Sequence, residues 1–236
     1  MNNSKLPRRS ALLLGLAGLI SYGSITLATE SAVAVPPPAV DLPTASPTPA
    51  TQTAVLAGGC FWGVQGVFQH VAGVKSAVSG YAGGTVDKPS YEQVSSGRTG
   101  HAESVRIVFD PKLISYGRLL QIYFSVAHNP TELNRQGPDT GTQYRSTIFP
   151  GDAEQTRVAR AYIEQLNRAN TFGKPLATTV EPLRNFYPAE AYHQDFLTLN
   201  PRYPYIAIND MPKIDHLKQM FPAVYQDKPV LVGSAK

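Results

Sequence analysis

The chain has 236 residues, a net charge of +4 and a single cysteine, which excludes an internal disulfide. Charged residues make up 16% and hydrophobic residues 42%, a composition that suits a packed globular core. The one basic cluster, Lys5 with Arg8 and Arg9, lies at the N-terminus, so nucleic-acid binding has little support.

The first 34 residues have the pattern of a signal peptide. Basic residues precede an apolar run at residues 11–20, and Ala32-Val33-Ala34 has the spacing of a cleavage site. Arg8-Arg9 is also found before twin-arginine export signals. We therefore expect export to the periplasm or the extracellular space, with tethering by an uncleaved signal as the alternative.

The next segment, residues 35–53, is rich in proline and has no periodic apolar pattern. Such a sequence predicts an extended, solvated linker with nothing to pack against. The folded domain is then expected over residues 54–226, followed by a short tail at residues 227–236.

The domain opens with a predicted strand at residues 54–57. Apolar residues at i, i+3, i+4 and i+7 from Val64 then predict a helix. Between them stands Gly58-Gly59-Cys60-Phe61-Trp62-Gly63, which holds the only cysteine and the only tryptophan. Cys60 is therefore placed at a helix N-terminus, where free N–H groups and the helix dipole lower a thiol pKa. A buried structural thiol is the alternative.

Strand and helix patterns alternate along the rest of the domain. Strands are predicted at residues 74–81, 103–109, 147–149 and 177–181. A helical turn is predicted at residues 91–94, and helices at 115–127, from 152 onward, at 189–199 and at 213–221. The loop at residues 129–146 is long, as functional loops often are. The β-α-β-β-α-β order predicts a two-layer α+β domain.

One carboxylate stands out on the strand at residues 103–109. Alternation places Glu103 on the same face as Val105, Ile107 and Phe109. Burial there disfavours the charged form and raises the pKa, as a general acid requires. An edge-strand glutamate paired with a lysine or arginine is the alternative.

Five motifs span the domain: the hexapeptide at Cys60, Gly80-Tyr81-Ala82-Gly83-Gly84, Thr99-Gly100-His101-Ala102-Glu103, residues 137–146, and Tyr192-His193-Gln194. Through these motifs the sequence resembles the peptide methionine sulfoxide reductase A family. This resemblance implies a two-layer, ferredoxin-like α+β fold with a mixed sheet, flanking helices and long loops. It also implies reduction of the S epimer of methionine sulfoxide, free or in oxidised proteins.

The resemblance assigns roles residue by residue. The catalytic set it implies is Cys60 as nucleophile, Glu103 as acid, and Tyr81 and Tyr144 as phenols that hydrogen-bond the sulfoxide oxygen. The substrate-binding set it implies is Phe61, Trp62, Asp139 and His193. On the residues alone, the two tyrosines are equally well explained as ordinary half-buried phenols. No metal and no bound cofactor are expected.

The sequence departs from many relatives near its end. Where those proteins carry resolving cysteines, residues 203–208 here contain none. A sulfenic acid on Cys60 must then persist until an external thiol arrives, from a thioredoxin-like protein, glutathione or a dithiol. The expected partners are oxidised proteins and a thiol reductant protein, and the expected state is a monomer.

Two other functions remain open from the residues alone. Cys60 with His101 or His193 would suit a cysteine hydrolase. A non-catalytic module would instead use the aromatic residues near Trp62 as a peptide groove.

Overall fold

A six-stranded mixed sheet forms the centre of the computed structural model, which describes Met1, residues 30–42 and residues 49–234. Its strands are β1 (Gln52–Ala57), β2 (Val74–Ala82), β3 (Ala102–Phe109), β6 (Thr147–Phe149), β7 (Thr179–Val180) and β8 (Phe186–Pro188). They lie in the order β7-β6-β1-β3-β2-β8, and only the β6–β7 pair is parallel. A two-residue pair, β4 (Arg135–Gln136) with β5 (Asp139–Thr140), stands apart in the long loop.

Helices flank this sheet. They are α1 (Phe61–Gln69), α2 (Tyr91–Ser95), α3 (Tyr116–Ile122), α4 (Ala153–Arg168), α5 (Phe196–Leu199) and α6 (Met211–Met220). A π-helical turn, Tyr123–Ala127, extends α3, and another, Ile206–Asp210, leads into α6. Short 3₁₀ turns lie at Thr142–Tyr144, Ala191–His193 and Val232–Ser234.

The four central strands, β6-β1-β3-β2, are joined through α1 and α3 in β-α-β-β-α-β order. Alternate residues of β1 enter two different cores. Leu56 joins the large cluster between sheet and helices, whereas Val55 joins a small cluster on the other face. This alternation follows from the two-residue period of a strand. The predicted α+β class with a mixed sheet and flanking helices is confirmed.

The helix predicted at residues 189–199 is wrong in its extent. Only a 3₁₀ turn and the four-residue α5 form there, and Asp195 between them has a φ of 59°. Side-chain hydrogen bonds explain the break, since Gln194 Nε2 donates to the Ser79 and Ala189 carbonyls. Tyr192, in the 3₁₀ turn, is 60% exposed.

Two predicted helix starts are confirmed. The Ser115 hydroxyl accepts the Arg118 N–H at the start of α3, and Asp152 Oδ1 accepts the Gln155 N–H at the start of α4. The Gln155 side chain does not form a capping box with Asp152, because its Oε1 accepts the Gly151 N–H instead.

Residues 30–42, called here the N-terminal strap, are packed on the domain, so the expectation of a linker with nothing to pack against is wrong for residues 35–42. Val35 is buried in the main core, and its carbonyl accepts Gln121 Nε2 at 2.9 Å. The Tyr162 hydroxyl donates to the Pro36 carbonyl at 2.6 Å. Extended, proline-rich backbone leaves its carbonyls free, so polar side chains of the domain can hold it without any apolar period.

The apolar run of the predicted signal peptide, residues 11–20, lies outside the described residues. Among the residues that are described, no helix is long and apolar enough to cross a membrane. The boundaries set at residues 34, 53 and 226 stay predictions. Residues past 226 do contact the domain, since the Val230 N–H donates to the Gln69 carbonyl at 3.0 Å.

Candidate active site

Cys60 lies where the sequence pattern places it, between the end of β1 and the first residue of α1. The chain approaches it through two tightly confined glycines. A Cβ on Gly58 would lie 2.8 Å from Cγ of His128, and Gly59 has a φ of +85°. Both positions therefore require glycine, for space in the first case and for backbone conformation in the second.

Glu103 lies beside the start of α1. It is on the interior strand β3, opposite Tyr81 of β2, and is only 2% exposed. The Phe61 backbone N–H donates to Glu103 Oε2 at 3.0 Å. In the described part of the chain Glu103 belongs to no ion pair, so the edge-strand alternative is wrong. Desolvation raises the pKa of this carboxyl to about 8, with the Asp139 and Asp210 charges adding to the effect.

The thiol of Cys60 differs from the expectation of a lowered pKa. Burial raises the pKa of Cys60 well above its ordinary value, and the charges of Glu103, Asp210 and Asp139 raise it further. A hydrogen bond from the Trp62 backbone N–H acts in the opposite direction, as expected for a helix N-terminus, but does not prevail. The substrate-free protein therefore holds a protonated thiol beside a protonated acid near neutral pH.

Two half-buried tyrosines lie within electrostatic reach of both groups. Glu103 and Cys60 each raise the pKa of Tyr144 and of Tyr91, with desolvation as the largest cause. Tyr81 differs, because its hydroxyl donates to Glu190 Oε2 at 2.8 Å. Its ring stays close to the site, with its centroid 5.9 Å from that of Phe61.

Asp139 and Tyr205 connect the long loop to the chain before α6. The Tyr205 hydroxyl donates to Asp139 Oδ2, and the Cys60 charge is among the causes that raise the pKa of Tyr205. Desolvation raises the pKa of Asp139. This hydrogen bond therefore ties the long loop, through Asp139, to the segment that precedes α6.

Phe61, Trp62 and His193 form an aromatic wall. The ring centroids of Phe61 and His193 lie 5.1 Å apart, and Trp62 stacks on Phe196 at 4.0 Å. Trp62 Nε1 donates to Nδ1 of His193 at 3.2 Å. Burial lowers the pKa of His193, which therefore stays neutral near pH 7.

Of the two histidines proposed for hydrolase chemistry, His101 is held by backbone groups through both ring nitrogens, whereas His193 uses only Nδ1 and its Nε2 has no hydrogen-bond partner among the described residues. Nδ1 of His101 accepts the Gly84 N–H at 3.1 Å, and its Nε2 lies 2.8 Å from the Val86 carbonyl. His193 accepts from Trp62, as described above. Within residues 30–42 and 49–234, no group of three or more histidine, cysteine, aspartate or glutamate side chains is placed to hold a metal ion.

The sequence reasoning missed Tyr91, Tyr205 and Lys213. Tyr91 follows Ser90, whose side chain caps α2 in a full capping box with Gln93, a pattern visible in the sequence. Lys213 falls in the predicted last helix, but nothing in that pattern indicates that its side chain is only 7% exposed.

Comparisons with known proteins agree with this geometry. The sequence model of the family described as peptide methionine sulfoxide reductase matches residues 52–224. Peptide methionine sulfoxide reductase MsrA 2 of Mesorhizobium japonicum is 64% identical, over 79% of this chain and 96% of its own. The protein of the same name from Synechocystis is 48% identical, over 88% and 96%.

Solved structures give the same result. Methionine sulfoxide reductase A of Corynebacterium diphtheriae superposes with a TM-score of 0.60 at 33% identity, covering 74% of this chain and 86% of its own. Reduced Mxr1 of Saccharomyces cerevisiae gives 0.58 at 35% identity, covering 65% and 87%. With the family match spanning the whole sheet and the site around Cys60, the chain belongs to the peptide methionine sulfoxide reductase family, the enzymes that reduce the S epimer of methionine sulfoxide.

Proposed function

We propose that Cys60 is the nucleophile and Glu103 the acid of this reductase, with Tyr144 and Tyr91 as the phenols that hydrogen-bond the sulfoxide oxygen. The observation that carries the proposal is the contact between the Phe61 N–H and Glu103. This contact holds a carboxylic acid with a pKa of about 8 one residue from the only cysteine. Tyr91 takes the role that the resemblance gave to Tyr81, because the Tyr81 hydroxyl is bound to Glu190.

The oxygen transfer needs both protons that the site holds. Glu103 gives its proton to the sulfoxide oxygen, which makes the substrate sulfur electrophilic, while the Cys60 sulfur attacks. The Cys60 thiol proton passes to the Glu103 carboxylate and restores the acid. The attack joins the two sulfurs, and the protonated oxygen then forms a bond to the Cys60 sulfur while its bond to the methionine sulfur and the bond between the two sulfurs break. Methionine is reduced by two electrons and Cys60 is oxidised to a sulfenic acid.

The aromatic wall suits the methyl group of the substrate. Phe61 is 1% exposed and Trp62 is half-buried, so together they offer apolar surface next to Cys60. Apolar walls with a few convergent polar groups are typical of small-molecule sites. His193 positions Trp62 through the hydrogen bond to Nε1.

Regeneration requires a thiol from outside the chain, because Cys60 is the only cysteine. One external thiol condenses with the sulfenic acid, releases water and leaves a mixed disulfide, which a second thiol reduces. A thioredoxin-like protein, glutathione or a small dithiol each has this chemistry. The working unit in the proposal is a monomer that acts on oxidised proteins.

We further propose that the enzyme is exported, on the strength of the N-terminal pattern. Cleavage after Ala34 would remove Glu30 and leave residues 35–42 of the N-terminal strap on the domain, whereas an uncleaved signal would leave the whole strap in place. In an oxidising compartment, a dedicated thiol carrier would have to deliver the reducing equivalents.

A single turnover without reductant tests the proposal. The protein is mixed with a peptide containing the S sulfoxide, and intact masses are measured. We expect one equivalent of methionine peptide and a protein heavier by one oxygen, which a sulfenic-acid reagent labels at Cys60 and excess thiol restores. The Cys60→Ser variant should fold and show no turnover. Oxygen loss from the peptide by that variant would remove Cys60 from the mechanism.

A further inference from the structure

A buried lysine lines the same small cavity as Cys60, and the proposed acid, Glu103, is not among the residues that line it. Lys213 is in the first turn of α6, and its side chain is only 7% exposed. Lysine is rarely buried unless it is paired. Its Nζ lies 3.3 Å from Asp210 Oδ1 and 3.4 Å from Glu30 Oε2 of the N-terminal strap. These two carboxylates raise the pKa of Lys213, so the side chain stays charged.

The lysine and the sulfur share one small cavity. Its volume is about 10 Å³, the space of a single water. The walls are contributed by Glu30, Cys60, Gln136, Gly137, Pro138, Tyr205, Asn209 and Lys213. Of these residues Lys213 alone carries a positive charge, whereas Glu30 carries a negative one.

Close packing fixes the lysine against the start of α1. A Cβ on Gly63 would lie 2.1 Å from Asp210 Oδ1 and 3.1 Å from Lys213 Nζ. Gly63 lies in the first turn of α1, three residues after Cys60. The absence of a side chain at Gly63 therefore lets the Asp210–Lys213 pair lie directly on the turn that begins at the nucleophile.

From this arrangement we infer that Lys213 is a positioning residue for the redox chemistry of Cys60, with Glu30 as its counter-charge in the chain that keeps its signal segment. The inference rests on the proposed role of Cys60. The sulfur must carry negative charge when it attacks and when its sulfenic acid ionises. Three carboxylates, those of Glu103, Asp139 and Asp210, oppose that charge. The ammonium of Lys213 lines the same cavity as Cys60, interacts with the Cys60 charge and offsets the three carboxylates.

The charged and titratable groups around Cys60 come from every element that packs on it. They are Glu30 of the strap, Glu103 of β3, Tyr91 of α2, Asp139 of β5, Tyr144 after it, Tyr205 and Asp210 around the π-helical turn, and Lys213 of α6. Within this set of described residues Lys213 is the one cation. Removing the charge of Lys213 should therefore raise the free energy needed to ionise the Cys60 thiol. Removing the charge of Glu30 should lower that free energy.

The test measures alkylation of Cys60 by iodoacetamide as a function of pH in the full-length chain, where no second cysteine competes. Lys213→Met should slow alkylation at pH 8 by about tenfold, equivalent to a rise of one unit in the thiol pKa. Lys213→Arg should keep the wild-type profile. Lys218→Met, which alters an exposed lysine of the same helix, is the matched control and should change nothing.

Glu30→Gln should change the alkylation rate in the opposite direction to Lys213→Met. It also leaves the buried lysine in place, so this test does not require that the Lys213→Met protein folds. It should speed alkylation on the order of threefold, because Lys213 then has one carboxylate fewer beside it. A merely structural ion pair would not give opposite effects at its two ends. A folded Lys213→Met protein with the wild-type pH profile overturns the inference. If that variant does not fold, unchanged or slower alkylation of Glu30→Gln overturns it.

Alkylation also separates this inference from the proposed function. It reports on the Cys60 sulfur whether or not oxygen transfer uses it. Turnover by Cys60→Ser would end the proposed mechanism and leave the electrostatic effect of Lys213 intact. Normal single-turnover chemistry at Cys60, together with alkylation that Lys213→Met and Glu30→Gln leave unchanged, would overturn the inference about Lys213 and leave the proposed mechanism intact.

Discussion

Two groups of residues with opposite chemical character lie near Cys60. The acid side, formed by Glu103, Tyr91 and Tyr144, is neutral near pH 7 because burial holds protons on it. The lysine side, formed by Glu30, Asp210 and Lys213, carries ionic pairs at 3.3 and 3.4 Å. The comparison shows how one sulfur can be near both a proton donor and a stabilising cation. The two functions come from different elements, so neither group neutralises the other.

The largest effect is expected on the acid side. Glu103→Gln removes the proton that activates the sulfoxide, and oxygen transfer should slow by about two to four orders of magnitude. Single-turnover kinetics with a sulfoxide peptide measures the loss directly. Glu92→Gln, which changes an exposed carboxylate of α2, is the control and should leave the rate unchanged. A normal rate in Glu103→Gln would mean that a tyrosine or a water supplies the proton.

A smaller effect should distinguish the two tyrosines. Tyr91→Phe removes a hydrogen bond to the developing charge on oxygen, worth roughly 1.5–3 kcal/mol, so the rate should fall by about 10- to 100-fold. Tyr81→Phe removes a contact with Glu190 instead, and should lower the rate by less than about threefold. Single-turnover rates of both variants, side by side, give the answer. Equal losses of rate in the two variants would mean that Tyr81 also hydrogen-bonds the sulfoxide oxygen.

The pH dependence sharpens the contrast between the sides. Glu103 has a pKa of about 8, raised from its ordinary value of 4.5, so the acid is protonated below pH 8 and lost above it. The single-turnover rate should therefore fall by up to about tenfold per pH unit above pH 8.

The stability of the folded protein should also depend on the ionisation of Glu103. Between about pH 4.5 and 8 the folded protein holds a proton that the unfolded chain has released, so the free energy of unfolding decreases as pH rises.

Glu103→Gln provides the check on that linkage, because glutamine does not titrate. Urea unfolding of both proteins at pH 5 and pH 8 should show the wild type losing stability relative to the variant at the higher pH. A difference that is independent of pH would show that Glu103 titrates with its ordinary pKa.

The acid side was largely predictable from the sequence. The glycine pair and the helix period located Cys60 at the start of α1, and the strand period placed Glu103 on the buried face. The choice between Tyr81 and Tyr91 was not predictable. It depends on Glu190, which follows the edge strand β8, and strand pairing between distant segments leaves no local pattern.

The lysine side was hidden for a different physical reason. Lys213 was expected in a helix, but its burial depends on the π-helical turn Ile206–Asp210, which sets how α6 enters the domain. Glu30 belongs to a strap held by backbone carbonyls and polar side chains. An apolar period is the main signal of packing in a sequence, and such a segment lacks one.

The smallest expected effect concerns the strap alone. Asp41 joins it to α3, because Oδ1 accepts the Gly117 N–H at 2.8 Å and Oδ2 accepts the Ser115 hydroxyl at 2.5 Å. Asp41→Ala should therefore cost about 1–2 kcal/mol, the usual loss for a helix N-terminal cap, and lower the melting temperature by about 2–8 °C.

Oxygen transfer in Asp41→Ala should stay within about twofold of the wild type, since neither side of Cys60 changes and the loss is local to the start of α3. Asp41→Asn keeps one carbonyl oxygen, which can still accept a hydrogen bond from either the Gly117 N–H or the Ser115 hydroxyl. This variant should therefore recover at least half of the lost stability. Calorimetry and single-turnover kinetics on the same preparations separate the two readouts. A large loss of activity with little loss of stability would show that the strap reaches the chemistry through α3 as well as through Glu30. The division into an acid side and a lysine side would then be too simple.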